Sequence, residues 1–256
     1  MVYFMFINNK MEKLTEAFQP IQQQFLTSKP ILELAAGAMT KAQYRSILRE
    51  QYHQVREHPQ MHTALTTKFA GKKRAFVKSF FDHATAEYGH EQLALNDFAT
   101  LGGDASFVPY ENPLPATTAL LAFGNHQIYH LNPVGYLGYV FFLEFIPTST
   151  GGSLLEMLKN IGVGDNAVSF LRDHAEVDVH HNRLMERYVD GLITSEADFD
   201  AVVYALWTTS NLYLNMMTDA MEDATVNAER GWNWRELEAE NLTPELLTQQ
   251  MAQKAG

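Results

Sequence analysis

Helical periodicity is the feature of this sequence that most restricts its fold. Between turn signals rich in Gly, Pro and Asn lie long segments with apolar residues three and four positions apart, without the period-two alternation of strands. The segments with this pattern are residues 11–25, 40–69, 75–100, 116–130, 135–145, 153–161, 167–189 and 196–227. We therefore predict an all-α protein, built as a single bundle of about seven or eight helices.

The sequence offers no point at which to divide this bundle into domains. The 256 residues contain no internal repeat and no low-complexity linker. We predict one helical domain over residues 1–256, with residues 1–10 as a ragged N terminus and residues 229–256 as a peripheral tail. Thr40 with Gln43, and Ser195 with Asp198, have the spacing of helix N-caps.

Charge and hydropathy restrict the partners of the protein. The formal net charge is -11 and no dense run of Lys and Arg is present, so nucleic acid and anionic membrane surfaces are poor candidates. No stretch reaches the roughly 20 apolar residues that a bilayer span needs. We expect a soluble, cytoplasmic protein that acts on a small molecule, with a homodimer as the default assembly.

Two histidines and an aspartate stand at helical spacing late in the chain. His174, Asp178 and His181 stand at i, i+4 and i+7, and therefore project from one face of a helix. Burying these three groups beside apolar neighbours would be costly without a metal ion or a full set of partners. We predict metal binding, although a solvated polar face would explain any one of these histidines taken alone.

Glu87 and His90 form a similar pair earlier in the chain. A single Glu-x-x-His occurs by chance in many helices, but Asp178-x-x-His181 repeats its spacing, as in helical proteins with two metal ions. On one helix Glu87 and His90 would share a face. His83 completes an i, i+4, i+7 series with them, so it is either an additional ligand or a neighbour of the ligands.

Glu144 stands in the otherwise almost wholly apolar segment 139–146. An ionised carboxylate there would be very unfavourable without a partner. We predict that Glu144 bridges or caps metal ions. The alternative is a Glu near a helix end that bonds to the turn before Pro147.

Glu50 and Glu57 stand at i and i+7 on an early predicted helix. Either could supply a fourth carboxylate, as in ferritin-like bundles, and we retain Glu57 as a possible additional ligand or a neighbour of the ligands. Surface ion pairs with Arg49 and Arg56 explain both residues equally well.

The chain contains no Cys, so a metal site must use nitrogen and oxygen ligands. The predicted ligands are Glu87, His90, Glu144, His174, Asp178 and His181. Carboxylates and imidazoles suit iron or manganese, and zinc is not excluded by ligand type. Two half-sites imply two ions, and the open coordination positions could accept dioxygen. The chemistry indicated is oxidation by activated oxygen.

These motifs, in this order over residues 40–223, resemble the haem-oxygenase-like diiron oxidases. That family includes fatty-acid decarboxylases, amino-acid-fragmenting enzymes and N-oxygenases, and its helical fold is similar to that of the TenA and PqqC proteins. The resemblance implies two Fe(II) ions, with Mn possible, and dioxygen as co-substrate. It also implies a small organic substrate, such as the carboxylate of an amino acid or a fatty acid.

This chain lacks residues that two of the related activities require, which reduces the number of candidate activities. TenA-type hydrolases rely on a cysteine, which this chain lacks, and chlamydial-type para-aminobenzoate synthases sacrifice a tyrosine where this chain has Ile31. A fatty-acid substrate would need a long apolar channel, and an amino acid a short polar pocket with a cation. The alternative function is a ferritin-like or metal-free TenA-like binding protein without an organic redox substrate.

Overall fold

The computed structural model of the chain describes residues 9–176 and 178–230, with the side chains of residues 178–182 and 224–230 left aside. All regular structure within these residues is helical, which confirms the all-α prediction. The α-helices are α1 (Lys10–Leu26), α2 (Lys29–Ala35), α3 (Lys41–Val55), α4 (His58–Thr66), α5 (Val77–Glu87), α6 (Glu91–Thr100), α7 (Pro115–His130), α8 (Tyr136–Asn160), α9 (Ser169–Glu176), α10 (Asp178–Leu192) and α11 (Glu196–Arg230).

The helix boundaries differ from the periodic segments at several points. Segment 40–69 contains both α3 and α4, and segment 75–100 contains both α5 and α6. Segment 167–189 covers α9 and most of α10, which lie on either side of Val177, a residue outside the described ones. Helix α2 lies between two of the periodic segments and has Pro30 in its first turn, where proline is well tolerated.

Helix α8 continues through Pro147, where the sequence analysis predicted a break. Proline cannot donate a hydrogen bond to the preceding turn. The hydroxyl groups that follow it donate to backbone carbonyls one turn earlier: Thr148 to Glu144 at 3.0 Å, and Thr150 to Ile146 at 2.6 Å. These side-chain bonds lie on the carbonyls next to the proline, and the helix continues through it.

Helix α8 is the central element of the bundle. Its first seven residues are all buried, as expected of a helix that is apolar on every side. Helix α11 packs against α3, α7 and α8, and α9 packs against both α6 and α8. Helix α5 also approaches α8, where the side chains of His83 and Glu144 lie 3.3 Å apart.

The ends of the described chain differ from the predicted ends. Lys10, predicted to belong to a ragged N terminus, begins α1 and donates from Nζ to the Asp190 carbonyl at 2.8 Å. Helix α11 extends to Arg230, and residues 1–8 and 231–256 lie outside the described residues. Across the described helices, none combines the length and apolar content needed to cross a bilayer.

The capping box predicted at Thr40 is present at the start of α3. The Gln43 N–H donates to Thr40 Oγ1 at 3.1 Å, and the Thr40 N–H donates to Gln43 Oε1 at 2.8 Å. We expect Thr40→Ala to lower the free energy of unfolding in urea by about 1 kcal/mol, because it leaves a helix N–H without its acceptor. Thr15→Ala, at an exposed position inside α1, is the matched control and should cost nothing. Equal losses in the two variants would contradict this role of the cap.

Candidate metal centre

Two groups of potential metal ligands meet at Glu87. Glu87, His90 and His174 form one group, and His83, Glu87 and Glu144 form the other. Within each group, one ligand atom from each residue lies within 4.8 Å of the others. The structure therefore brings together four residues that the sequence analysis selected as ligands, and adds His83 to them.

The two oxygens of Glu87 face different groups. Its Oε1 lies 3.8 Å from His83 Nε2, and its Oε2 lies 3.7 Å from His90 Nδ1. His83 Nε2 is in turn 3.3 Å from Glu144 Oε1. This arrangement would allow the carboxylate to bridge two metal ions, with one oxygen directed to each ion.

Glu87 and His90 are close for a reason other than the predicted one. Helix α5 ends at Glu87, Tyr88 is extended, and Gly89 has a φ of 101°, in the region that favours glycine. The expectation that both side chains lie on one face of one helix is therefore wrong. The turn nevertheless directs His90 back toward Glu87, and the His90 N–H donates to the Glu87 carbonyl at 3.2 Å.

The histidines of the first group have one nitrogen each available for a ligand. His174 Nδ1 donates to the Phe170 carbonyl at 2.8 Å, which orients the ring and leaves Nε2 as the lone-pair atom. His90 Nδ1 is buried and has no hydrogen-bond partner among the described residues. The two rings meet edge to face, with centroids 5.4 Å apart.

The carboxylates of the site are in an unfavourable environment for two negative charges. Glu87 is only 4% exposed. Its pKa is raised, first by burial and then by the charge of Glu144, while His83 partly offsets both effects. A cation between the carboxylates would stabilise their ionised form.

Asp178 and His181, also predicted as ligands, have side chains outside the described residues. Asp178 is the first residue of α10. A single residue separates α10 from the end of α9, the helix that carries His174. Their part in the site stays a prediction from the sequence.

The early carboxylates lie outside both groups. Glu57 accepts a hydrogen bond from Arg56 Nε at 3.1 Å and is about one-third exposed, in agreement with the surface-pair alternative. That alternative is wrong for Glu50, which is fully buried and accepts hydrogen bonds from the Leu114 N–H at 2.9 Å and from the Thr117 hydroxyl. Glu50 thus anchors the start of α7 to α3.

Sequence reasoning missed two buried histidines beside the site. Burial lowers the pKa of His58 to about 3, so the ring is neutral at physiological pH. The His62 ring meets the His83 ring edge to face, with centroids 4.4 Å apart. Their i, i+4 spacing was visible in the sequence, but the charged neighbours of this segment suggested a surface location.

A cavity of about 110 Å³ adjoins the candidate centre. Glu87, Glu144 and His174 line it together with a mainly apolar wall. That wall includes Ile31, Leu34, Met39, Leu48, Phe142 and Leu158. No Lys or Arg is among the described residues that line the cavity.

Known proteins share this fold. A family model described as "Iron-containing redox enzyme" matches residues 45–214. A domain of unknown function with a heme oxygenase-like fold from Shewanella denitrificans is similar in structure, with a TM-score of 0.77 and 25% identity over 86% of this chain and 95% of that chain. No curated protein sequence matches significantly.

TenA homologues are more distant structural neighbours. One from P. horikoshii has a TM-score of 0.64 and 13% identity, over 83% of this chain and 98% of that chain. One from Pseudomonas syringae pv. tomato has a TM-score of 0.69 and 10% identity, over 83% and 93% of the two chains. These likenesses confirm the predicted haem-oxygenase-like, TenA-like fold.

Proposed function

We propose a function that starts from the family of this chain. The chain belongs to the iron-containing redox enzymes, whose family model matches residues 45–214. Within that family, we propose a non-haem diiron oxidase or oxygenase that uses dioxygen to oxidise a small organic substrate. The observation that carries this proposal is the position of Glu87, whose two oxygens face two separate groups of donors.

The donor set fits two Fe(II) ions, with Mn as a possible substitute. All donors are carboxylates or imidazoles, which suit both metals. The buried His90 Nδ1 without a hydrogen-bond partner and the raised pKa of Glu87 both favour a bound cation. Glu87, His90 and His174 would hold one ion, and Glu87 and Glu144 with His83 the other. Asp178 and His181 are the further ligands that we propose from the sequence.

The residues around the centre would protect a reactive oxidant. Bound iron would supply the electrons that activate dioxygen. Phe142, Leu171 and Phe170 line the cavity side of the site with apolar groups, which would disfavour water beside the bound ions. The hydrogen bond from His174 to the Phe170 carbonyl holds the imidazole in one orientation and one tautomer.

Of the two substrate classes implied by the resemblance, the chemistry of the cavity lining favours the fatty acid. An amino acid would bury an ammonium and a carboxylate, whereas the described lining offers mostly methyl, methylene and aromatic groups and no Lys or Arg. An aliphatic chain gains from contact with such a wall. The carboxylate would lie at the metal end, where the bound ions supply the positive charge.

Iron loading and substrate oxidation test this function together. We expect the protein, loaded anaerobically with Fe(II) and then desalted, to retain two iron ions per chain by metal analysis. On exposure to dioxygen, the loaded protein should consume more oxygen with decanoic acid than without substrate, and should yield an oxidised product. A panel of amino acids should produce neither effect. Oxygen uptake and mass spectrometry of the products provide the measurement.

The other outcomes separate the alternatives. Iron uptake that continues well beyond two ions, without oxidation of any organic compound, would favour a ferritin-like role. Retention of one iron ion or none would contradict the dinuclear centre. Full iron loading with no oxidation of either substrate class would contradict the proposed activity while leaving the metal site intact.

A further inference from the structure

A hydrogen-bonded pair of polar side chains interrupts the apolar wall of the cavity. Gln51 on α3 donates from Nε2 to the Tyr213 hydroxyl on α11 at 2.5 Å. Both residues line the cavity, and Gln51 is only 5% exposed. Neither belongs to the groups of potential metal ligands. The cavity therefore has a polar feature that the proposed metal centre does not use.

The hydrogen bond between Gln51 and Tyr213 leaves further hydrogen-bond donors of the pair available. The Tyr213 oxygen accepts from Gln51, so its own proton is available, and the described residues include no acceptor for it. Burial raises the pKa of Tyr213 to about 12, so the hydroxyl keeps that proton at neutral pH. Gln51 retains a second N–H. Two hydrogen-bond donors are thus available to an oxygen atom in the cavity.

A ring contact supports the pair, which belongs to neither group of potential metal ligands. The Phe142 ring meets the Tyr213 ring edge to face, with centroids 5.3 Å apart. Gln54 follows Gln51 by about one helical turn, roughly 5 Å along α3, and its amide contacts His58. His58 lies near enough to Glu144 for that charge to affect its pKa. Gln51, Gln54 and His58 all line the cavity, so the pair and the metal end belong to the same cavity.

We propose that Gln51 and Tyr213 bind an uncharged oxygen, a hydroxyl or a carbonyl, on the aliphatic chain of the substrate. The inference rests on the proposed function, because it places the carboxylate end of the same chain at the metal centre. A charged group is disfavoured at the pair, since the described lining contains no Lys or Arg to offset its burial. The substrate class is then a hydroxy or oxo fatty acid.

Positional isomers of a hydroxy acid test this inference by binding alone. Calorimetry on the anaerobic Fe(II)-loaded protein would compare decanoic acid with decanoic acids that carry one hydroxyl at successive chain positions. We expect one position to bind about tenfold more tightly than decanoic acid, the gain of one or two well-oriented hydrogen bonds. Tyr213→Phe and Gln51→Leu should each abolish that preference, so that the ratio of the two affinities within each variant falls to about one.

Tyr52→Phe is the matched control, because Tyr52 is the neighbour of Gln51 on α3 but is not among the residues that line the cavity. It should retain the preference for the hydroxylated isomer. Absence of any preferred isomer, or a preference that survives in Tyr213→Phe, would overturn the inference and leave the proposed function standing. Equal weakening of both ligands would assign the pair a purely structural role. If decanoic acid itself does not bind, the aliphatic substrate and this inference both fail.

Discussion

Glu87→Gln is expected to abolish stable binding of the iron pair and to lower iron-dependent oxidation by more than about a hundredfold. Even residues that only support a metal ligand contribute roughly 10-fold to 100-fold, and Glu87 belongs to both groups of donors. The amide keeps the shape of the side chain but removes the negative charge that two cations would share. Metal analysis after anaerobic loading and desalting, together with oxygen uptake, measures the effect.

Glu91→Gln is the matched control for this change. Glu91 lies four residues further on, at the start of α6, and accepts a hydrogen bond from the Gly89 N–H at 3.1 Å. It belongs to neither donor group, so its substitution should leave the iron content unchanged. His90→Ala and Glu144→Gln, which each affect one group, should give intermediate iron contents. Full iron retention by Glu87→Gln would contradict a carboxylate shared by two ions.

Gly138→Ala should destabilise the fold by about 3 kcal/mol, at the upper end of ordinary overpacking. A Cβ at this position would lie 2.0 Å from the Val202 carbonyl oxygen and 2.7 Å from the Leu206 nitrogen. Both are backbone atoms of α11, so no side-chain rotation relieves the clash. Helices α8 and α11 would have to move apart, and urea unfolding would report the loss.

The same substitution at Gly152, on the same helix, should have the opposite sign. A Cβ there meets nothing within 4 Å, and alanine is the better helix former by about 0.5–1 kcal/mol. Gly152→Ala is therefore expected to raise the unfolding free energy. Similar stabilities of the two variants would argue against close backbone packing between α8 and α11.

The fold class followed from local patterns, whereas several helix boundaries did not. Apolar spacing is a property of neighbouring residues, so it was sufficient to predict a helical chain. Helix α5 ends just before the turn at Gly89, whereas α8 continues through Pro147. Glycine and proline signals permit a break but do not require one.

The candidate ligands were predicted more completely than their arrangement. Local spacing and burial cost selected Glu87, His90, Glu144 and His174, and these side chains do converge. Spacing left His83 open between two roles, because its closeness to Glu144 depends on how α5 and α8 pack. The corresponding test for the side chains of residues 178–182 lies outside the described structure.

The sequence by itself determined a helical protein whose metal chemistry must use nitrogen and oxygen donors, since periodicity and the absence of Cys are independent of packing. Only the tertiary structure decided that the two oxygens of Glu87 face separate donor groups and that an apolar cavity adjoins them. The same holds for Gln51 and Tyr213, which are 162 positions apart and meet only because α3 packs against α11. Contacts between helices distant in the chain leave no local pattern from which they could be predicted.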